Sequence, residues 1–167
     1  NRGVSALHFA ALRGDASLMD WLLRNGARID PQTEHSTTPL MLACKLGQTE
    51  GVSALLGCKA SVTLADEAGC TALMQALGGG HLEAAGKVLQ SGARVDVVDM
   101  AGRSGLFHAV LSGRLECVSM VVEKKCRINM LDEEGRSPLY QACIMNEQPI
   151  VQLLLEADAD PNLAGRP

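Results

Sequence analysis

The chain has 167 residues, a net charge of -4 and only four aromatic side chains, Phe9, Trp21, Phe107 and Tyr140, so its core must be aliphatic. No apolar run approaches the roughly 20 residues that span a bilayer, and the acidic balance argues against a nucleic-acid partner gripped through phosphates. The six cysteines, Cys44, Cys58, Cys70, Cys117, Cys126 and Cys143, form no C-x-x-C pair and meet no histidine at zinc-finger spacing. They read as small apolar residues of a reducing compartment, which suits an intracellular protein, cytoplasmic or alternatively nuclear.

In chain order, the first predicted element opens at Ser5 and carries Leu7. That leucine returns every 33 residues as Leu40, Leu73, Leu106 and Leu139. Three residues after each stands Ala10, Ala43, Ala76, Ala109 or Ala142. Two residues before each stands a hydroxyl: Ser5, Thr38, Thr71, Ser104 or Ser137. These hydroxyls are placed to cap a short helix, with Pro39 and Pro138 in the first turn, where a missing N–H costs little. Seven residues after the leucine, Gly14, Gly47, Gly80, Gly113 and Asn146 end that helix, because such a stop needs a left-handed backbone. A second helix follows, for example Ala16 to Arg24 or Ile150 to Glu156, with apolar residues at helical spacing: Leu18, Trp21 and Leu22, or Ile150, Leu153 and Leu154. Loops then lead to the turns of "DEAGCTALMQA", "DMAGRSGLFHA" and "DEEGRSPLYQA".

The period defines five units, approximately 1–32, 33–65, 66–98, 99–131 and 132–164, within one repeat domain spanning 1–167. No unit can bury its own apolar face, so a neighbour must cover it. Asn1 enters partway through a turn, and Leu163 to Pro167 reads as the start of a further unit or cap. The chain is therefore expected to be a fragment of a larger protein.

The run T-P-L-x-x-A, then G-(H/D), then L-L-x-x-G-A resembles the ankyrin repeat, most closely at "SALHFAALRGD", "TTPLMLACKLGQ" and "SPLYQACIMN". The resemblance implies an all-α fold, an α-solenoid of L-shaped hairpin-loop-helix-helix units stacked in a curved array. It further implies a protein-binding module rather than an enzyme, using the turn tips and the inner face of the shorter helices. The family's His after the leucine survives only as His8, and its Gly before the last Ala is Lys59, Lys125 or Asp158 in three units. In some relatives, asparagines in the loop slots of Asn129 and Asn162 are hydroxylated.

The expected concave binding face combines turn-tip residues Glu34, His35, Thr37, Glu67, Met100, Arg103, Glu133, Glu134 and Arg136 with first-helix ends Leu12, Arg13, Lys45, Leu46, Leu111, Ile144 and Met145. Leu12, Leu46, Met100, Leu111, Ile144 and Met145 either form an apolar strip for an extended peptide or helix or pack between units. "GGGHLEAAGKV", residues 78–88, is no phosphate loop: His81 replaces a required Gly, and Val88 stands where Ser or Thr would hold magnesium. Its glycines should make the unit around 66–96 the softest. His8, His35, His81 and His108 are scattered over four units, so no metal or cofactor is expected, and no catalytic set assembles. Trp21 is expected in the core of the first unit.

The partner is expected to be another protein, with no nucleic acid and no membrane insertion. The main reading is an intracellular scaffold or adaptor segment. The alternative is a substrate-recruiting or regulatory arm of a larger enzyme, such as a ubiquitin ligase or signalling protein.

Overall fold

The computed structural model describes residues 3–163, which hold ten helices. They come in consecutive pairs: α1 (Ala6–Arg13) with α2 (Ala16–Arg24), α3 (Pro39–Lys45) with α4 (Thr49–Gly57), α5 (Ala72–Gly78) with α6 (Leu82–Gln90), α7 (Gly105–Leu111) with α8 (Leu115–Glu123), and α9 (Pro138–Ile144) with α10 (Gln148–Glu156). Among the described residues there are no strands, only two isolated antiparallel bridges, Ala65 with Thr71 and Val98 with Ser104. The array is all-α. Most of the stretch expected to open a further unit, residues 164–167, lies outside the described residues, as do residues 1–2.

Local chemistry explains the helix starts. The hydroxyls of Thr38, Thr71, Ser104 and Ser137 accept the N–H groups of Met41, Met74, Phe107 and Tyr140, each cap contributing about 1 kcal/mol. Ser5 departs from this pattern. Its hydroxyl lies 2.9 Å from His8 Nδ1, which also accepts the Ser5 N–H at 3.1 Å. With Nδ1 accepting, Nε2 carries the proton and donates to the Thr37 carbonyl at 2.9 Å, tying the first unit to the second. α10 starts at Gln148 rather than Ile150, because Pro149 in a first turn forfeits no intrahelical bond.

The stops are equally local. Gly14, Gly47, Gly80, Gly113 and Asn146 all adopt positive φ, between 58° and 70°. Lys59, Lys125 and Asp158, which stand where the family pattern has Gly, also have positive φ, between 55° and 64°.

Each short helix packs on the short helix of the next pair, and each second helix on the next second helix, giving two parallel rows. The recurring alanines Ala10, Ala43, Ala76, Ala109 and Ala142 are fully buried between them. Gly51 shows how close the second row runs: a Cβ there would lie 2.7 Å from Met19 Cε. The apolar cluster continues from Leu7 to Ala159.

Trp21 is not in the core; it is 62% exposed. It lies with Leu18 on the flank of α2 that, in later units, meets the preceding helix. The residues in the Leu18 slot there, Gly51, Ala84, Cys117 and Ile150, are all buried. Among the described residues no helix precedes the first pair to cover that flank.

All six cysteines are free thiols. Cys44, Cys117 and Cys126 are buried, while Cys58 and Cys143 are exposed. Burial pushes the Cys44 thiol up to about 12. Burial, reinforced by the Asp96 charge, takes Cys126 to about 11. A disulfide-exchange reagent at pH 8 should therefore label Cys58 and Cys143 in the native chain well before Cys44, and peptide mapping of early adducts that finds Cys44 would contradict this packing.

The glycines generate a second expectation. A Cβ on Gly86 would meet Met120 Cε at an ordinary 3.6 Å, so Gly86→Ala should raise stability by roughly 0.5–1 kcal/mol in urea unfolding and slow hydrogen exchange in α6. Gly51→Ala should give less or none of this gain, since Met19 must first move.

Candidate functional site

Of the turns that link the units, the first is built on Thr33, whose Oγ1 accepts the Thr37 N–H, and the next three on aspartates. Oδ1 of Asp66 accepts the N–H groups of Ala68 and Cys70. Asp99 does the same for Ala101 and Arg103, and Asp132 for Glu134 and Arg136. The tips are then chained to one another. The N–H of Glu67 donates to the His35 carbonyl, that of Met100 to Ala68 and that of Glu133 to Ala101, at 2.9–3.1 Å. This relay holds the tips in a single row.

Glu34, His35, Glu67, Met100, Glu133 and Glu134 are exposed along that row, and Thr37 is half-buried. His35 bridges the first two tips, with Nδ1 2.8 Å from Glu67 and Nε2 3.4 Å from Glu34. Arg103 and Arg136 are committed to their own turns. Arg103 Nε donates to Asp99 Oδ2 at 2.9 Å, and Arg136 Nε to Asp132 Oδ2 at 2.8 Å. Arg136 also pairs with Glu134 at 3.0 Å and lies 5.9 Å from the Phe107 ring centre. Both arginines shape the tips before either can grip a ligand.

At the ends of the short helices, Leu12, Arg13, Lys45, Leu46 and Ile144 are exposed, Ile144 by 60%. Leu111 and Met145 are half-buried. The six-residue apolar strip thus divides: Leu12, Leu46, Met100 and Ile144 stand clear, while Leu111 and Met145 are partly covered. Gly78 and Gly79 leave a gap in the strip at the third unit. There a cavity of about 300 Å³ is lined by Lys45, Cys70, Met74, Gln75, Gly78, Gly79 and His108, so turn tips and helix ends share one surface. His81 Nε2 lies 3.1 Å from the Lys45 carbonyl. A larger groove of about 610 Å³ lies on the other row, between α8 and α10, with Leu115, Met120 and Leu153 among its lining and Glu116, Glu123 and Glu156 around it.

Beside the smaller cavity the structure gathers three residues that sequence reasoning left apart: Cys70, Asp99 and His108. The Asp99 side chain is fully buried. His108 Nε2 lies 3.0 Å from its Oδ2, and Cys70 Sγ 4.0 Å from the same atom. Burial raises the Asp99 carboxyl, but the Arg103 N–H, the His108 bond and the Arg103 charge together hold it below its usual value. Burial lowers His108, and Asp99 offsets this only in part. Burial, then the charges of Asp66 and Asp99, push the Cys70 thiol up to about 11, so it is no activated nucleophile. Part of the signal was periodic: the residue nine after the turn Asp folds back to it in two units, Gln75 to Asp66 and His108 to Asp99, while Cys70, four after Asp66, reaches across to Asp99 of the next unit.

The loops on the far side are stapled by side chains. Asp30 accepts the Ser61 N–H and Asp96 the Arg127 N–H. Asn129 accepts the Asp160 N–H while donating to the Asp158 carbonyl, so its amide is engaged between units. Among the described residues no helix is long and apolar enough to cross a membrane.

Comparison with known proteins agrees with this architecture. A family model described as "Ankyrin repeats (3 copies)" matches residues 7–99 and again 87–164. The E3 ubiquitin-protein ligase XBAT33 of Arabidopsis thaliana is 42% identical over 62 residues, which is 37% of this chain and 12% of that protein. The probable E3 ubiquitin-protein ligase XBOS33 of Oryza sativa subsp. japonica is 40% identical over 62 residues, with the same shares. The chain therefore matches only about an eighth of the length of these relatives. Ten paired helices, chained turn tips and a family match running from residue 7 to residue 164 place this chain in the ankyrin-repeat family, whose fold serves protein–protein interaction.

Proposed function

We propose that the chain is the protein-binding segment of an intracellular scaffold or adaptor, and that it grips an extended peptide or a helix of a partner along the face formed by turn tips and short-helix ends. The observation that carries this reading is the exposure of Leu12, Leu46, Met100 and Ile144 beside a row of charged tips, an apolar anchor line with a polar rim. Alternation of Glu34, Glu67, Glu133 and Glu134 with that line favours a partner carrying basic residues beside its apolar anchors. No nucleic-acid partner is proposed, since the net charge is -4 and the last unit is acidic. No catalytic role is proposed for the repeat segment itself.

A second reading is supported by the two ubiquitin-ligase relatives: the segment recruits substrates for a larger enzyme of that kind. The two readings share the same binding face and differ in the domains to which it is joined.

Peptides selected from a displayed library against the chain should lose at least about tenfold in affinity on Ile144→Asp or Met100→Asp, the size expected when a charge enters an apolar anchor site. Leu111→Asp should weaken binding too, with circular dichroism unchanged if Leu111 belongs to the face and lost if it packs between units. Leu153→Asp, in the groove of the other row, should leave binding intact. Selected peptides indifferent to Ile144 and Met100 but sensitive to Leu153 would move the binding face to the second helices.

A further inference from the structure

We propose that Cys70, Asp99 and His108 form a site for a thiophilic divalent cation, with Zn2+ the best match, and that its fourth position opens into the cavity beside Gly78 and Gly79. One donor atom from each residue falls within a set whose members all lie within 4.8 Å of one another. The Asp99 Oδ2 to His108 Nε2 separation is 3.0 Å and the Asp99 Oδ2 to Cys70 Sγ separation 4.0 Å. Zinc bonds of about 2.0–2.3 Å put tetrahedral donors roughly 3.3–3.5 Å apart, so adjustments of the order of 1 Å complete the set.

Turn architecture alone does not call for these residues. In the unit before, Gln75 occupies the slot of His108 and holds Asp66 Oδ2 at 2.9 Å. The slot of Cys70 is filled elsewhere by Thr37, Arg103 and Arg136. A glutamine and any polar residue therefore suffice for the turn, whereas this unit boundary places thiol, imidazole and carboxylate together. That donor mixture suits Zn2+ rather than Mg2+ or Ca2+, which prefer oxygen alone.

The support around the ligands is already in place. Asp99 Oδ1 accepts the N–H groups of Ala101 and Arg103, which orients Oδ2 toward the site. Gly78 and Gly79 contribute no side chain over the imidazole; a Cβ on Gly78 would come within 3.5 Å of His108 Nδ1. On loading, Cys70 releases its thiol proton to solvent. His108 binds through Nε2, and the proton it directs at Asp99 is taken up at Nδ1 through solvent. Arg103 Nε, 2.9 Å from Oδ2, is the cation that the metal displaces. The open position would accept water or a donor side chain of a bound partner. The site stands apart from the protein-binding reading, because metal uptake is measured on the chain alone.

The test uses Zn2+ by calorimetry and Co2+ by absorption, under a phosphine reductant, in a background carrying Cys58→Ser and Cys143→Ser to remove the exposed thiols. His108→Gln and Cys70→Thr each copy a residue that the same slot holds in another unit, so the fold is retained and circular dichroism should not change. The expected result is one ion per chain, a thiolate-to-cobalt charge-transfer band, and a loss of about tenfold or more in zinc affinity for each variant. No uptake by the background protein overturns the proposal, and so does uptake with a smaller loss in either variant, which would mean adventitious zinc only.

Discussion

A helix of seven to nine residues does not hold itself together in water. Every helix among the described residues except α1, which has eight residues, is either seven or nine long, well under the twelve to fifteen or so at which even favourable sequences become marginal. Each must therefore borrow stability from the helix 33 residues along the chain. The alanine at the centre of each short helix makes that loan possible, since a methyl group is the largest side chain that lets neighbouring axes approach so closely. Enlarging any of these alanines would act on two units at once, because both faces of the contact share the same space.

The same constraint organises the surface. Units pressed together at their helices bring their turns into register, and the N–H of one tip reaches the carbonyl of the one before it. The turn aspartates convert this contact into a rigid edge by accepting two N–H groups on one oxygen, and Asp99 and Asp132 spend the second oxygen on an arginine. Side chains on such an edge are held by backbone rather than by long flexible loops, so little ordering entropy remains to be lost when a ligand lies across them. This is the physical link between the packing of small residues inside and the presentation of Met100, Ile144 and their acidic neighbours outside.

Variation between units falls where the architecture tolerates it. Gly, Lys, Asn and Asp all adopt the left-handed conformation at the helix stops, and Ser36 does so in the first turn, at a cost that neighbouring contacts outweigh. In the slot nine residues after the turn aspartate, Gln75 and His108 perform the same bond with different chemistry. The third and fourth units thus differ from the rest less in backbone than in what their shared boundary can hold.

Much of this was legible in the sequence because it is local or periodic. Caps at Thr38, Thr71, Ser104 and Ser137, left-handed stops at Gly14 or Asn146, and the buried alanines each follow from a residue and its neighbours within one turn, repeated from unit to unit. α10 begins two residues before the expected Ile150, with Pro149 in its first turn. What the tertiary structure alone decided depends on the residue across the unit boundary. Trp21 lies outside because, among the described residues, no helix covers its flank of α2, and hydrophobicity by itself cannot bury it. Arg103 and Arg136 turn inward to their aspartates because a carboxylate lies four residues back on a closed turn. Cys70, Asp99 and His108 meet because stacking brings positions 29 and 38 residues apart into contact, and the chain itself carries no mark of which face each side chain will find.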